Sequence, residues 1–157
     1  MELKSQGIKD DILKLIKEVD RKDFVLDEYK SQAYENIPLY LDKDSTISQT
    51  FTVAFMLQSL ELKPGLKVLE IGAGSGWNAA LISKLVKNGK VFTIEINENL
   101  SKEAEKRLKP YKNVKLIIGD GTKGYKKEAP YDRIVQTASS KYPEEVVLSQ
   151  LKLNGIY

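Results

Sequence analysis

Two stretches of this 157-residue chain carry residue types at spacings that could do chemistry. In "VLEIGAGSGWNAA" (68–80), Gly72, Gly74 and Gly76 stand at every second position between an apolar run and a helical one. Glycine there lets the backbone turn sharply and approach a ligand with no Cβ in the way, and a following helix presents free N–H groups. A dinucleotide loop wants G-x-G-x-x-G, but position 77 is Trp77; a nucleoside triphosphate loop wants Lys-Ser/Thr after its last glycine, which is absent. The second stretch, "DSTISQTFTVAF" (44–55), sets Ser45, Thr46, Ser48, Thr50 and the amide Gln49 ahead of apolar positions. Thr46 and Gln49 have the spacing of a capping box, with Thr46 as N-cap, and a hydroxyl facing a substrate is the competing reading.

Composition removes several chemistries. With no histidine, the usual general base, the commonest metal ligand and every Ser-His nucleophile are missing. With no cysteine, neither disulfides nor thiolate metal sites exist, which fits a reducing compartment. The 25 basic and 22 acidic residues are interspersed, so no nucleic-acid face is expected. No apolar run reaches the ~18 residues of a membrane span, and "MELKSQGIKDDILK" mixes charge into its apolar positions, unlike a signal peptide. A cytoplasmic protein without membrane contact is expected.

The elements that must position these residues follow from periodicity. Ile8, Ile12, Leu15, Ile16 and Val19 predict an amphipathic helix over the first twenty residues. "RKDFVLDEYKSQAYENIPLYL" loses that period and reads as an ordered but irregular arm. Val53, Met56, Leu57 and Leu60 predict a second helix to about Leu62, before the turn "KPG". Beyond it, strands "KVLEI", "KVFTIEI", "NVKLII" and "YDRIVQTA" alternate with helices "GWNAALISKLVK", "ENLSKEAEKRLK" and "PEEVVLSQLK". That alternation predicts an α/β fold, a doubly wound parallel sheet with helices on both faces, preceded by a helical arm. A single domain over 1–157 is expected, with 1–62 as the N-terminal helices and arm and 63–157 as the α/β core.

The strand followed by G-x-G-x-G resembles the first motif of the Rossmann-like S-adenosylmethionine (SAM)-dependent methyltransferases. The resemblance implies that the loop wraps the cofactor, that Glu95 at the end of the second strand accepts the ribose hydroxyls, and that Asp120 in "GDG" receives the adenine amino group. A carboxylate suits the ribose because it is acceptor-only and takes two O–H donors at once. The implied cofactor set is Glu70, Gly72, Ala73, Gly74, Gly76, Asn78, Glu95, Ile96, Asp120, Gly121 and Thr137.

"GDGTKGYKKEAPYDRI", "YENIPLYL" and "TISQTFTVAFML" narrow the resemblance to the protein-L-isoaspartate O-methyltransferase family, from about Phe24 onward. It implies methylation of isoaspartyl carboxylates in damaged peptides or unfolded proteins, with Ser48 beside the accepting carboxylate and Thr46 before it. That chemistry needs no histidine, since a carboxylate with a pKa of ~4 is already ionised at neutral pH. Thr46 and Gln49 then cap the helix while Ser48 faces the acceptor.

The chain departs from the family in three places. Gln49, Thr50 and Phe51 replace a small residue and Pro-His, and Gln136, Ser139 and Ser140 make an alanine-rich wall more polar. The chain also ends at "LKLNGIY", which implies a C-terminally shortened sheet with "YDRIVQTA" as a bare edge, open to a homo-oligomeric contact. Two alternatives therefore stand beside the first reading: a related methyltransferase with another acceptor, or a non-catalytic SAM-binding remnant or assembly partner.

Overall fold

The amphipathic start folds as two helices, α1 (Glu2–Ser5) and α2 (Asp10–Glu18), in a computed structural model that describes residues 2–139 and 144–157. Ile8, Ile12, Leu15 and Val19 are buried, as their spacing requires. The arm is indeed irregular: two 3-10 turns, Arg21–Phe24 and Asp27–Gln32, lead into a hairpin of β1 (Leu39–Tyr40) and β2 (Thr46–Ile47). Helix α3 (Thr50–Ser59) follows, ending three residues before the expected Leu62.

The capping box does not form. Thr46 lies in β2 opposite Tyr40, and Gln49, at the N-cap, makes no side-chain cap bond. Asn36 does the work from the arm instead, its Oδ1 accepting the Phe51 N–H at 2.9 Å. A distant cap fixes the arm to α3 as well as satisfying an orphan donor, which a local cap would not do.

The core is a five-stranded parallel sheet built from β3 (Lys67–Ile71), α4 (Trp77–Val86), β4 (Lys90–Glu95), α5 (Glu98–Leu108), β5 (Val114–Ile118), β6 (Tyr131–Gln136), α6 (Glu145–Leu148) and β7 (Leu151–Ile156). The spatial order is β5-β4-β3-β6-β7, so the chain reverses direction of winding beside β3. Alternate strand residues face opposite layers. Val68, Val91 and Val135 meet α2 to α5, whereas Leu69, Ile71, Phe92, Ile94 and Ile134 pack with Tyr131 and with Val147 of α6. The second face is thus covered by one short helix and 3-10 turns among the described residues, a thinner layer than expected. Each fully buried Leu or Ile contributes about 1.5–3 kcal/mol.

β7 corrects the reading of "YDRIVQTA" as a bare edge. "LKLNGI" pairs in parallel with β6, Tyr131 opposite Leu151 and Arg133 opposite Ile156, with a register irregularity between them. The Asn-Gly pair hid this strand, because it is a turn signal. Here Asn154 adopts a left-handed conformation, φ 63°, inside the strand.

Trp77 joins the arm to the core. The ring is buried, its Nε1–H donates to Val19 O at 2.9 Å, and Arg21 lies over its face at 5.7 Å.

Asp132 ties three strands together. Its Oδ2 accepts the Lys67 N–H of β3 at 2.8 Å and its Oδ1 binds Lys152 Nζ of β7 at 2.6 Å. Burial alone would raise this carboxyl, but Lys152, the Lys67 N–H and the Arg133 charge together hold it below its ordinary value. A depressed folded-state pKa contributes stability above the unfolded value that is lost as pH falls through the folded one. Asp132→Ala should therefore cost about 1–2 kcal/mol at pH 7 by chemical denaturation. The wild-type advantage should shrink below pH ~4 and vanish in stronger acid.

Candidate active site

The strands of such a sheet deliver their loops to one edge, and the crevice at their carboxyl ends, where winding reverses, is the place for a ligand. A cleft of about 540 Å³ lies there. One wall is the loop after β3. Gly72, with φ 97°, has no room for a side chain: a Cβ would stand 2.8 Å from both Ala138 N and Thr137 Oγ1. Ile71 O accepts the N–H groups of Thr137 and Ala138, and the Thr137 hydroxyl donates to Gly72 O at 2.5 Å.

Glu95, at the end of β4, is nearly buried, and both carboxylate oxygens are oriented by backbone donors. Oε2 accepts Gly74 N–H at 2.8 Å and Oε1 accepts Asn97 N–H at 3.0 Å, leaving further lone pairs. Helix α5 is capped by Asn97, which accepts from Asn99 and Leu100, so Glu95 is not consumed as an N-cap. Asp120, after β5, accepts the Thr122 hydroxyl and N–H, and these bonds hold its carboxyl below the usual range.

Beneath the loop, Glu70 has no solvent exposure. Its carboxyl accepts Asn78 Nδ2 at 2.7 Å and Thr93 Oγ1 at 2.5 Å. Burial pushes it up to about 7, against those two hydrogen bonds and with the help of the Glu95 charge. Asn78 Oδ1 is buried and has no hydrogen-bond partner. A carboxyl and an orphan acceptor in one buried corner of the cleft suit an ammonium group, such as the one in the methionine part of SAM.

The opposite wall comes from the hairpin. Thr46, Ile47 and Ser48 line the cleft, and Asp42 Oδ2 accepts Asn97 Nδ2 at 2.9 Å, fastening the hairpin tip beside Glu95. The Arg21 guanidinium donates to the Ser48 carbonyl at 3.0 Å.

The fold therefore brings together Thr46, Ser48, Glu70, Gly72, Ala73, Gly74, Asn78, Glu95, Ile96, Asp120, Gly121 and Thr137 along one cleft. Gly76 alone of the anticipated set does not line it. At φ 87° it begins α4, and a Cβ would press on Leu108 at 3.1 Å. Gln136 and Ser139 line the cleft as foreseen, with Tyr157 OH bound to Gln136 Oε1; Ser140 lies outside the described residues. Gln49, Thr50 and Phe51 do not line it, and Phe51 stacks on Phe55 instead, 6.2 Å between centroids. Sequence reasoning missed Leu100, Thr122, Glu144 and Val147 in the lining. Leu100 had a signal, as the first apolar position of α5, whereas Glu144 and Val147 arrive only through the tertiary fold. No helix among the described residues is long and apolar enough to cross a membrane.

Residues 1–157 match the family described as protein-L-isoaspartate(D-aspartate) O-methyltransferase (PCMT). A protein-L-isoaspartate O-methyltransferase of Ignicoccus hospitalis is 44% identical over 149 residues, 93% of this chain and 71% of that one. One of Thermosipho melanesiensis is 44% identical over 157 residues, 98% and 79% of the two chains. A solved protein-L-isoaspartate O-methyltransferase superposes with a TM-score of 0.88 at 34% identity; it covers 98% of this chain, which spans about half (51%) of that longer protein. A Plasmodium falciparum structure, titled a putative protein-L-isoaspartate O-methyltransferase in complex with S-adenosyl-L-homocysteine, gives 0.86 at 26% identity over 99% of this chain and 79% of its own. Sheet order, glycine loop, paired acids and hairpin wall thus agree with a match over the full length: the chain belongs to the protein-L-isoaspartate(D-aspartate) O-methyltransferase family.

Proposed function

We propose that the chain transfers a methyl group from SAM to the free carboxylate of L-isoaspartyl residues in damaged or unfolded proteins. The observation that carries this reading is the meeting, in one cleft, of the glycine loop and its acids with the hydroxyl-bearing wall Thr46–Ser48. Glu95 would hold the ribose hydroxyls, Asp120 the adenine amino group, and Glu70 with Asn78 the ammonium end. Gly72 to Gly74 leave room for the backbone to approach, and Ile96, Gly121 and Thr137 complete the walls.

Bound SAM would supply an electrophilic methyl on a sulfonium, and the residues of this chain supply alignment. The acceptor carboxylate is ionised without assistance, so no proton is moved before transfer. Ser48, helped by Thr46, orients that carboxylate so that one oxygen lies ~3–3.5 Å from the methyl and in line with the departing sulfur. Exclusion of water by the hairpin strengthens the attraction between carboxylate and sulfonium, two charges that cancel as the methyl moves. The acceptor peptide enters along a cleft that Ser48, Gln136 and Ser139 line.

Incubation with methyl-labelled SAM should give a base-labile ester on an isoaspartyl peptide and none on its aspartyl twin. No ester on either, with SAM still bound, would move the reading to another acceptor, which the polar Gln136–Ser139 wall would then suit. Ser48→Ala should lower kcat/KM for the peptide about tenfold or more while leaving S-adenosyl-L-homocysteine affinity nearly unchanged. Equal loss in both would refute its place on the acceptor side. Because Glu70 titrates near 7 in the free protein and its ionised form suits an ammonium, cofactor binding should release a proton. Affinity should thus fall as pH drops below about 7, by up to ~10-fold per pH unit, and level off above it. Glu70→Gln should flatten that profile in calorimetry, and an unchanged slope would exclude Glu70 as its source.

A further inference from the structure

Arg21 is almost fully buried, 2% exposed, yet none of the carboxylates among the described residues forms an ion pair with it. Its four terminal N–H groups are spent on backbone carbonyls. Nη1 donates to Ala33 O at 2.9 Å and Glu35 O at 3.3 Å, and Nη2 donates to Ile37 O at 2.9 Å and Ser48 O at 3.0 Å. The remaining Nε–H has no partner. The plane lies over Trp77, the first residue of α4 directly after the glycine loop. Burying a cation this way is costly, and an interior of neutral residues would have closed the arm more cheaply. The fork gives what neutral packing cannot: fixed directions to four carbonyls from one rigid plane.

Those carbonyls are not scattered. Three belong to consecutive alternate positions of the arm that runs into the hairpin, and the fourth belongs to Ser48. Trp77 and Ser48 both line the cleft, Trp77 directly after the glycine loop and Ser48 on the hairpin wall read above as the acceptor side. One guanidinium therefore touches both halves of the site without lining the cleft itself. We infer that Arg21 is a positioning residue for methyl transfer, setting the distance between the acceptor wall at Ser48 and the cofactor loop through its grip on Ser48 O and its seat on Trp77. It acts through Ser48 and touches neither reactant. The inference rests on the acceptor-side reading of Ser48 given above.

Arg21→Lys keeps the charge but cannot reach four carbonyls from one ammonium; Arg21→Gln keeps a planar donor without the fork. With S-adenosyl-L-homocysteine added to favour the folded state, both should fold. kcat/KM for an isoaspartyl peptide at saturating SAM should fall tenfold or more in each, since an ångström of misplacement costs up to ~100-fold. S-adenosyl-L-homocysteine affinity should change less than about threefold. A residue acting through Ser48 also predicts that Arg21→Lys costs little more once Ser48→Ala is present, whereas losses of merely structural origin multiply.

The inference is overturned if Arg21→Lys retains turnover within twofold, if cofactor affinity falls in parallel with turnover, if the two losses multiply, or if neither variant folds. Should the wild type methylate no isoaspartyl peptide, the acceptor reading fails instead. Hydrogen exchange then judges Arg21 alone: Arg21→Lys should deprotect segment 33–48 while 67–95 stays protected. Unchanged protection of 33–48 would reject the anchoring role itself.

Discussion

The approach of the loop after β3 to the exit of β6 is the constraint on which the site depends. Gly72 passes where a Cβ would stand 2.8 Å from Thr137 and Ala138, whose N–H groups both donate to Ile71 O while the Thr137 hydroxyl donates to Gly72 O. This contact closes the floor of the crevice where the winding of the sheet reverses. With the floor set, the glycine loop can rise only toward Glu95, whose carboxylate receives Gly74 N–H. Glu95 also receives Asn97 N–H, which begins α5, and Asn97 in turn fastens the hairpin through Asp42. A chain of short polar contacts therefore runs from the sheet centre to the hairpin wall.

A site without histidine works through that geometry. Of the carboxyls that line it, Glu95 and Asp120 are engaged by donors, and Glu70 is buried and pushed toward neutrality. On the proposed reading the acceptor is itself a carboxylate, which needs no proton taken. Catalytic power is then alignment and exclusion of water, both of which are properties of a rigid wall.

The parts legible in the sequence are those whose signal is local. Apolar bursts gave β3 to β6 and alternate glycines gave the loop, while Glu95 and Asp120 came from family likeness. What escaped was set by distant partners. The capping box was a sound local inference defeated by Asn36, which reaches Phe51 from fifteen residues away. Arg21 carried no signal of its own, because nothing nearby in the sequence tells that Ala33, Ile37 and Ser48 will converge on it. Glu70, Asn78 and Thr137 were placed by family likeness, and their common cleft required the fold.

β7 hides a last consequence. An exposed strand with Leu153 on its outer side, 94% exposed, would ordinarily template the stacking of further chains. Here the register against β6 slips between Tyr131 and Arg133, and Asn154 turns through a left-handed conformation before Gly155. Successive N–H and C=O groups on that margin no longer follow the even slanted spacing that a parallel neighbour must match. Lys152, held inward by Asp132, adds charge at the same margin. The irregularity that concealed this strand in the sequence thus also leaves its outer margin without the regular ladder that a further parallel strand would have to match.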